Sequence, residues 1–83
     1  MIDKYRHAID EIDLRIVELL NERFRACEGI GREKKKNGIV SVQDPAREQA
    51  IIDNLSNYEE WPGMVGFIWP IIFKYSRDLQ ERE

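Results

Sequence analysis

The stretch DKYRHAIDEIDLRIVELLNERFRACEGIGREKKKNG, residues 3–38, decides the fold. It contains no proline, and apolar residues recur at Tyr5, Ile9, Ile12, Ile16 and Leu19, then, after a break, at Ala26 and Ile30. Spacings of three and four place these side chains on one stripe of an α-helix. Asp3 offers a side-chain acceptor suited to an N-cap. Asn37-Gly38 offers a stop, because glycine enters the left-handed conformation at a helix end without steric cost. The pattern predicts one helix over roughly residues 4–36.

That helix is too long for its chain. At ~1.5 Å per residue it spans on the order of 50 Å, whereas a compact domain of this size has a diameter of about 30 Å. The 83 residues allow a single domain, 1–83, with two shorter helices that cannot cover the whole stripe. A homodimer is therefore expected, its long helices paired, antiparallel and intertwined. The alternative is a monomer whose first turns fray.

Working outward, the β-branched stretch Ile39 to Val42 has no partner strand and reads as a connecting loop. Asp44-Pro45 restarts the chain, the carboxylate capping free N–H groups and proline suiting the first helical position. The second helix is expected over 45–56, with Ile51, Ile52 and Leu55 on its apolar side. Asn57 to Gly63 is polar and turn-rich. A third helix is expected over 64–81, its broad face formed by Val65, Ile68, Trp69, Ile72, Phe73, Ser76, Leu79 and Gln80. Pro70 removes one backbone hydrogen bond there and should kink or divide the helix. The fold class is all-α, three helices per subunit.

Composition narrows the function. Sixteen acidic against 13 basic residues give a net charge of -3, which argues against nucleic acid as a partner. One cysteine and one histidine cannot build a disulfide framework or a His/Cys metal site. The longest apolar run, Met64 to Phe73, is about half of a bilayer span, and no charged-then-apolar leader opens the sequence. A cytoplasmic protein with no membrane association is expected.

Polar residues interrupt the apolar seams. Beyond Leu19 the stripe of the first helix meets Arg23, and beyond Ile30 it meets Lys34. Eleven residues separate them, close to three turns, so both lie on one face about 16 Å apart. Glu48 lies one turn before Ile51 and Ile52. Ser76 and Gln80, an i, i+4 pair, continue the line of Trp69 and Phe73. Burying unpaired charge is costly, so inward cations beside one inward acid suggest a pocket for an anion supplied from outside. Taken singly, Arg23 or Lys34 could equally snorkel to water or pair with acids of a second chain. Arg6 lies seventeen residues before Arg23, some 25 Å along the helix, and can share a small ligand only if it arrives from the second subunit. His7 reads as exposed, and Cys27 as a small packing residue with no local histidine to activate it.

These residues resemble a family. Arg6-x-x-Ile9-x-x-Ile12-Asp13, Leu19-Leu20-x-Glu22-Arg23, Ile30-Gly31-x-x-Lys34, Asp44-x-x-Arg47-Glu48 and Ser76-x-x-x-Gln80 follow, in order, the pattern of the all-helical chorismate mutases. The resemblance implies an intertwined homodimer with two equivalent sites and an intramolecular [3,3] rearrangement of chorismate to prephenate in aromatic amino acid biosynthesis, with no cofactor and no metal. It implies that Arg23, with Arg6 of the partner subunit, holds the two carboxylates of the substrate. Lys34 and Gln80 would donate to its ether oxygen. Glu48, with the backbone at Asp44, would take the ring hydroxyl, Ser76 would assist a carboxylate, and Arg47 would complete the polar shell. No further catalytic domain is expected, which leaves room for association with another enzyme of aromatic biosynthesis. Two other readings use the same scaffold: an isochorismate pyruvate lyase, and a non-catalytic dimeric sensor of an aromatic precursor.

Overall fold

The computed structural model describes residues 1–40 and 43–82 and contains three α-helices: α1 (Ile2–Lys36), α2 (Pro45–Ser56) and α3 (Met64–Arg82). No strand occurs among the described residues. Of the stretch read as a connecting loop, Ile39 and Val40 carry no regular structure, while Ser41 and Val42 lie outside the described residues.

The start of α1 corrects one expectation. Asp3 is not the N-cap: the helix begins at Ile2, Met1 holds the cap position, and no side chain caps it. Asp3 instead lies in the first turn, where its charge complements the exposed N–H groups, and pairs with Arg6 at 4.0 Å. At the other end Gly38 takes φ +72°, Gly38 N–H donates to Lys35 O at 3.2 Å and Ile39 N–H to Lys34 O at 2.8 Å. That is a Schellman closure, in which a left-handed glycine satisfies the last carbonyls. Lys34, Lys35 and Lys36 add positive charge at the negative end of the helix.

Asp44 caps α2 by accepting from Arg47 N–H at 3.0 Å, with Pro45 following it. The cap of α3 comes from farther away. Glu59 accepts from Gly63 N–H at 3.1 Å through Oε1 and from Val65 N–H at 2.9 Å through Oε2, serving a helix start that has only glycine before it. Pro70 does not divide α3, which runs as a single helix from Met64 to Arg82. The carbonyl that Pro70 leaves without a donor belongs to Gly66, and both residues are exposed, so water can take that position.

α3 is the central element. It packs on α1 and on α2, whereas α1 and α2 do not pack on each other. Among the described residues the buried apolar side chains are Cys27 from α1 and Val65, Phe73 and Leu79 from α3. Along α1 the face against α3 is Leu20, Arg23, Phe24, Cys27, Gly31 and Lys34, all buried or half-buried. This shifts the seam from the expected line: Ala26 and Ile30 are exposed. The small residues Cys27 and Gly31 are the buried positions of α1, and Phe24 meets Tyr75 with ring centroids 4.8 Å apart.

The first half of α1 has no cover. Tyr5, Ile9, Ile12, Ile16 and Leu19 are 44–63% exposed. The molecule measures 55 × 23 × 15 Å with a radius of gyration of 15.7 Å, against ~12 Å for a compact chain of this length. The excess length is the projecting part of α1. No helix among the described residues is long and apolar enough to cross a membrane.

Candidate active site

α3 carries the polar residues that organise the site, because Phe73, Ser76, Arg77 and Gln80 recur at spacings of three and four and face the other two helices. Each of the last three makes one side-chain link. Ser76 reaches Arg23 of α1, Gln80 reaches Lys34 of α1, and Arg77 reaches Glu48 of α2.

Arg23 is held on three sides. Its Nη1 donates to Ser76 Oγ at 2.6 Å and lies 3.8 Å from Cys27 Sγ, and its guanidinium carbon sits 5.8 Å from the centroid of the Phe73 ring. The ring face attracts the cation while the hydroxyl fixes its direction. Ser76, only 6% exposed, donates its own proton to Ile72 O at 2.8 Å, which leaves its oxygen as the acceptor for Arg23. A guanidinium has five N–H donors, so Arg23 retains several for an anion.

Lys34 and Gln80 form the second link. Lys34 Nζ donates to Gln80 Oε1 at 3.0 Å. An ammonium group can only donate, so the amide must present its oxygen to Lys34 and its NH2 elsewhere. Two donor groups, one charged and one neutral, therefore stand side by side with protons to spare. They line a cleft of about 340 Å³ with Gly31, Lys35, Gly38, Ile39, Val40 and Glu81.

Arg23 and Arg47 line a separate cleft of about 590 Å³, whose apolar walls are Ile51, Leu55 and Trp69. Glu48 is not an unpaired acid. Arg77 Nη1 donates to its Oε2 at 2.5 Å, with both side chains a little over a quarter exposed. The sequence reading missed Arg77. Its signal was the position itself, three residues before Gln80 and four after Phe73, on the face already identified as inward.

The chain thus brings Arg23, Lys34, Glu48, Ser76 and Gln80 to the faces between its helices, with Arg47 at the rim and Asp44 as the α2 cap. Arg6 is not among them. It lies in the projecting half of α1, its side chain 74% exposed and its ion pair with Asp3 local. His7 and Trp61 are exposed, Cys27 is buried, and Trp69 is half-buried beside Arg23.

Chemically, the arrangement offers cationic donors held by neutral or aromatic neighbours, with Glu48 tied by Arg77 and Glu81 on the wall of the Lys34–Gln80 cleft. Guanidinium and ammonium donors with protons to spare can bind an anion. Comparison with known families gives a match over residues 5–81 to chorismate mutase type II, nearly the full chain. No curated protein matches it.

Proposed function

Because the chain belongs to the chorismate mutase type II family, whose members are isomerases, we propose that it converts chorismate to prephenate by the sharing of each site between two chains. The observation that carries this reading is the Lys34–Gln80 pair at 3.0 Å. In the [3,3] rearrangement the ether C–O bond breaks as a C–C bond forms within the same molecule. Negative charge grows on the ether oxygen only as the barrier is crossed. Donors from Lys34 and from the Gln80 amide, aimed at that atom, stabilise the transition state more than the ground state and so raise the rate.

The other residues restrict conformation. Arg23 and Arg6 of the partner subunit take the two carboxylates, and Arg47 completes the shell at the rim. Bidentate guanidinium contacts then hold the compact chair that the flexible substrate rarely adopts in water, which is catalysis by positioning. Glu48 and the backbone at Asp44 take the ring hydroxyl. Ser76 serves by orienting Arg23. No nucleophile, metal or cofactor enters this scheme.

Burial supports the dimer. The exposed stripe of α1 and the few buried apolar side chains leave one chain with too little core, since a small domain gains only ~1.5–3 kcal/mol per fully buried large apolar side chain against ~1–2 kcal/mol of backbone entropy per residue. Antiparallel pairing of α1 with its copy covers the stripe and carries Arg6 toward the site of the other chain.

Incubation of the purified protein with chorismate and with isochorismate tests the proposal. Prephenate from chorismate is the expected product. Pyruvate released from isochorismate would instead mark a lyase, and no turnover of either would mark a sensor.

A further inference from the structure

Arg77 belongs to no role described so far, yet it is the group that α3 directs at α2. Its Nη1 donates to Glu48 Oε2 at 2.5 Å, and the two side chains are 29% and 27% exposed, so the pair sits between the helices and not on the outer surface. One oxygen of Glu48 is thereby occupied. Oε1 and its lone pairs remain for another donor.

Resting on the reading of Glu48 as acceptor of the substrate's ring hydroxyl, we propose that Arg77 is a positioning residue that sets Glu48 in the orientation needed to receive that hydroxyl. Glu48 stands in the first turn of a short helix and has three side-chain torsions to choose among. Without a fixed partner, its carboxylate would be free to sample other rotamers and to leave the position in which it meets the substrate. Arg77 approaches from α3, at the register between Ser76, which sets Arg23, and Gln80, which is set by Lys34. One turn of α3 thus orders the anion clamp, the hydroxyl acceptor and the ether-oxygen donors together. A local substitute for the pairing is absent from α2, where the cation at Arg47 neighbours Glu48 in sequence and points to a different part of the helix surface.

The test is a double-mutant cycle on the full-length protein with chorismate as substrate, using Arg77→Met, Glu48→Gln and the double variant, with Arg77→Lys as the conservative partner. Arg77→Met is expected to lower kcat/KM by roughly tenfold or more, the scale of a hydrogen bond to a charged group. Arg77→Lys should recover part of that loss. In the Glu48→Gln background, removing Arg77 should cost nothing further, because there is no carboxylate left to orient. Full additivity of the two losses, or wild-type kcat/KM in Arg77→Met, overturns the proposal. Should Arg77→Met fail to fold, the same cycle with Arg77→Lys decides, its smaller loss again vanishing beside Glu48→Gln. Absence of prephenate formation by the unmodified protein overturns the proposed reaction and the role of Arg77 with it. Turnover indifferent to Arg77 overturns the role of Arg77 alone.

Discussion

Lys34 Nζ and Gln80 Oε1 lie 3.0 Å apart across the α1–α3 interface, and the bond fixes both partners. Lys34 reaches inward from the last turn of α1, just before the glycine closure, and Gln80 from the last full turn of α3. Because the ammonium cannot accept, the amide oxygen is spent on it and the amide protons remain for another acceptor. The proposed rearrangement depends on that orientation.

An amide at position 80 donates at any ordinary pH. The unmodified enzyme should therefore vary little in rate between about pH 5 and 8, where the ordinary values of carboxylates and lysines lie outside the window. In Gln80→Glu the donor exists only when the carboxyl is protonated, so activity should rise as the solution is acidified. A pH–rate profile for the two proteins checks this, and a profile unchanged by the substitution would remove Gln80 from the chemistry.

Lys34→Ala removes the charged donor and also the partner that orients Gln80. The rate should fall by at least the ~10²-fold typical of losing one donor to a developing oxyanion. Steady-state kinetics should show the loss in kcat, since the interaction strengthens in the transition state.

Ser76→Ala leaves Arg23 without the acceptor that now holds it at 2.6 Å. The guanidinium keeps its place over Phe73 but loses its direction, and kcat/KM should fall by roughly five- to twentyfold, on the scale of ~1–2 kcal/mol for one such bond. Kinetics beside a thermal melt separate this from unfolding: a melting point near that of the parent with the activity reduced is the expected pair of results.

If α1 pairs with its copy, sedimentation equilibrium at micromolar protein should give twice the chain mass of 9.9 kDa. Mixing Arg6→Ala chains with Lys34→Ala chains should restore part of the activity, because one site of each heterodimer then has both residues intact. A clean monomer, or no recovery after verified subunit exchange, would contradict a shared site.

Glu59 bonds two N–H groups at the start of α3, Gly63 and Val65, neither of them a site residue. Glu59→Ala should cost about 1–2 kcal/mol of stability, as for the loss of a helix cap. Denaturant midpoints at one fixed protein concentration measure it, the concentration being held so that self-association, if the chains pair, contributes equally to both proteins.

The primary sequence by itself determined the long first helix, its glycine stop, the Asp44-Pro45 restart and the inward placing of Arg23, Lys34, Glu48, Ser76 and Gln80. All are set by local means: a helical period, conformational preference and caps that act within a few residues. Tertiary structure alone decided the rest. Which of two adjacent stripes of α1 meets α3 is decided by packing, which buries Cys27 and Gly31, and a one-dimensional period cannot separate lines so close. The cap of α3 by Glu59, the holding of Arg23 by Phe73 and Ser76, and the pairing of Arg77 with Glu48 across 29 residues join groups that only packing brings within hydrogen-bond reach. Local preference selects the elements, whereas the partners of a side chain depend on how the elements are set against one another.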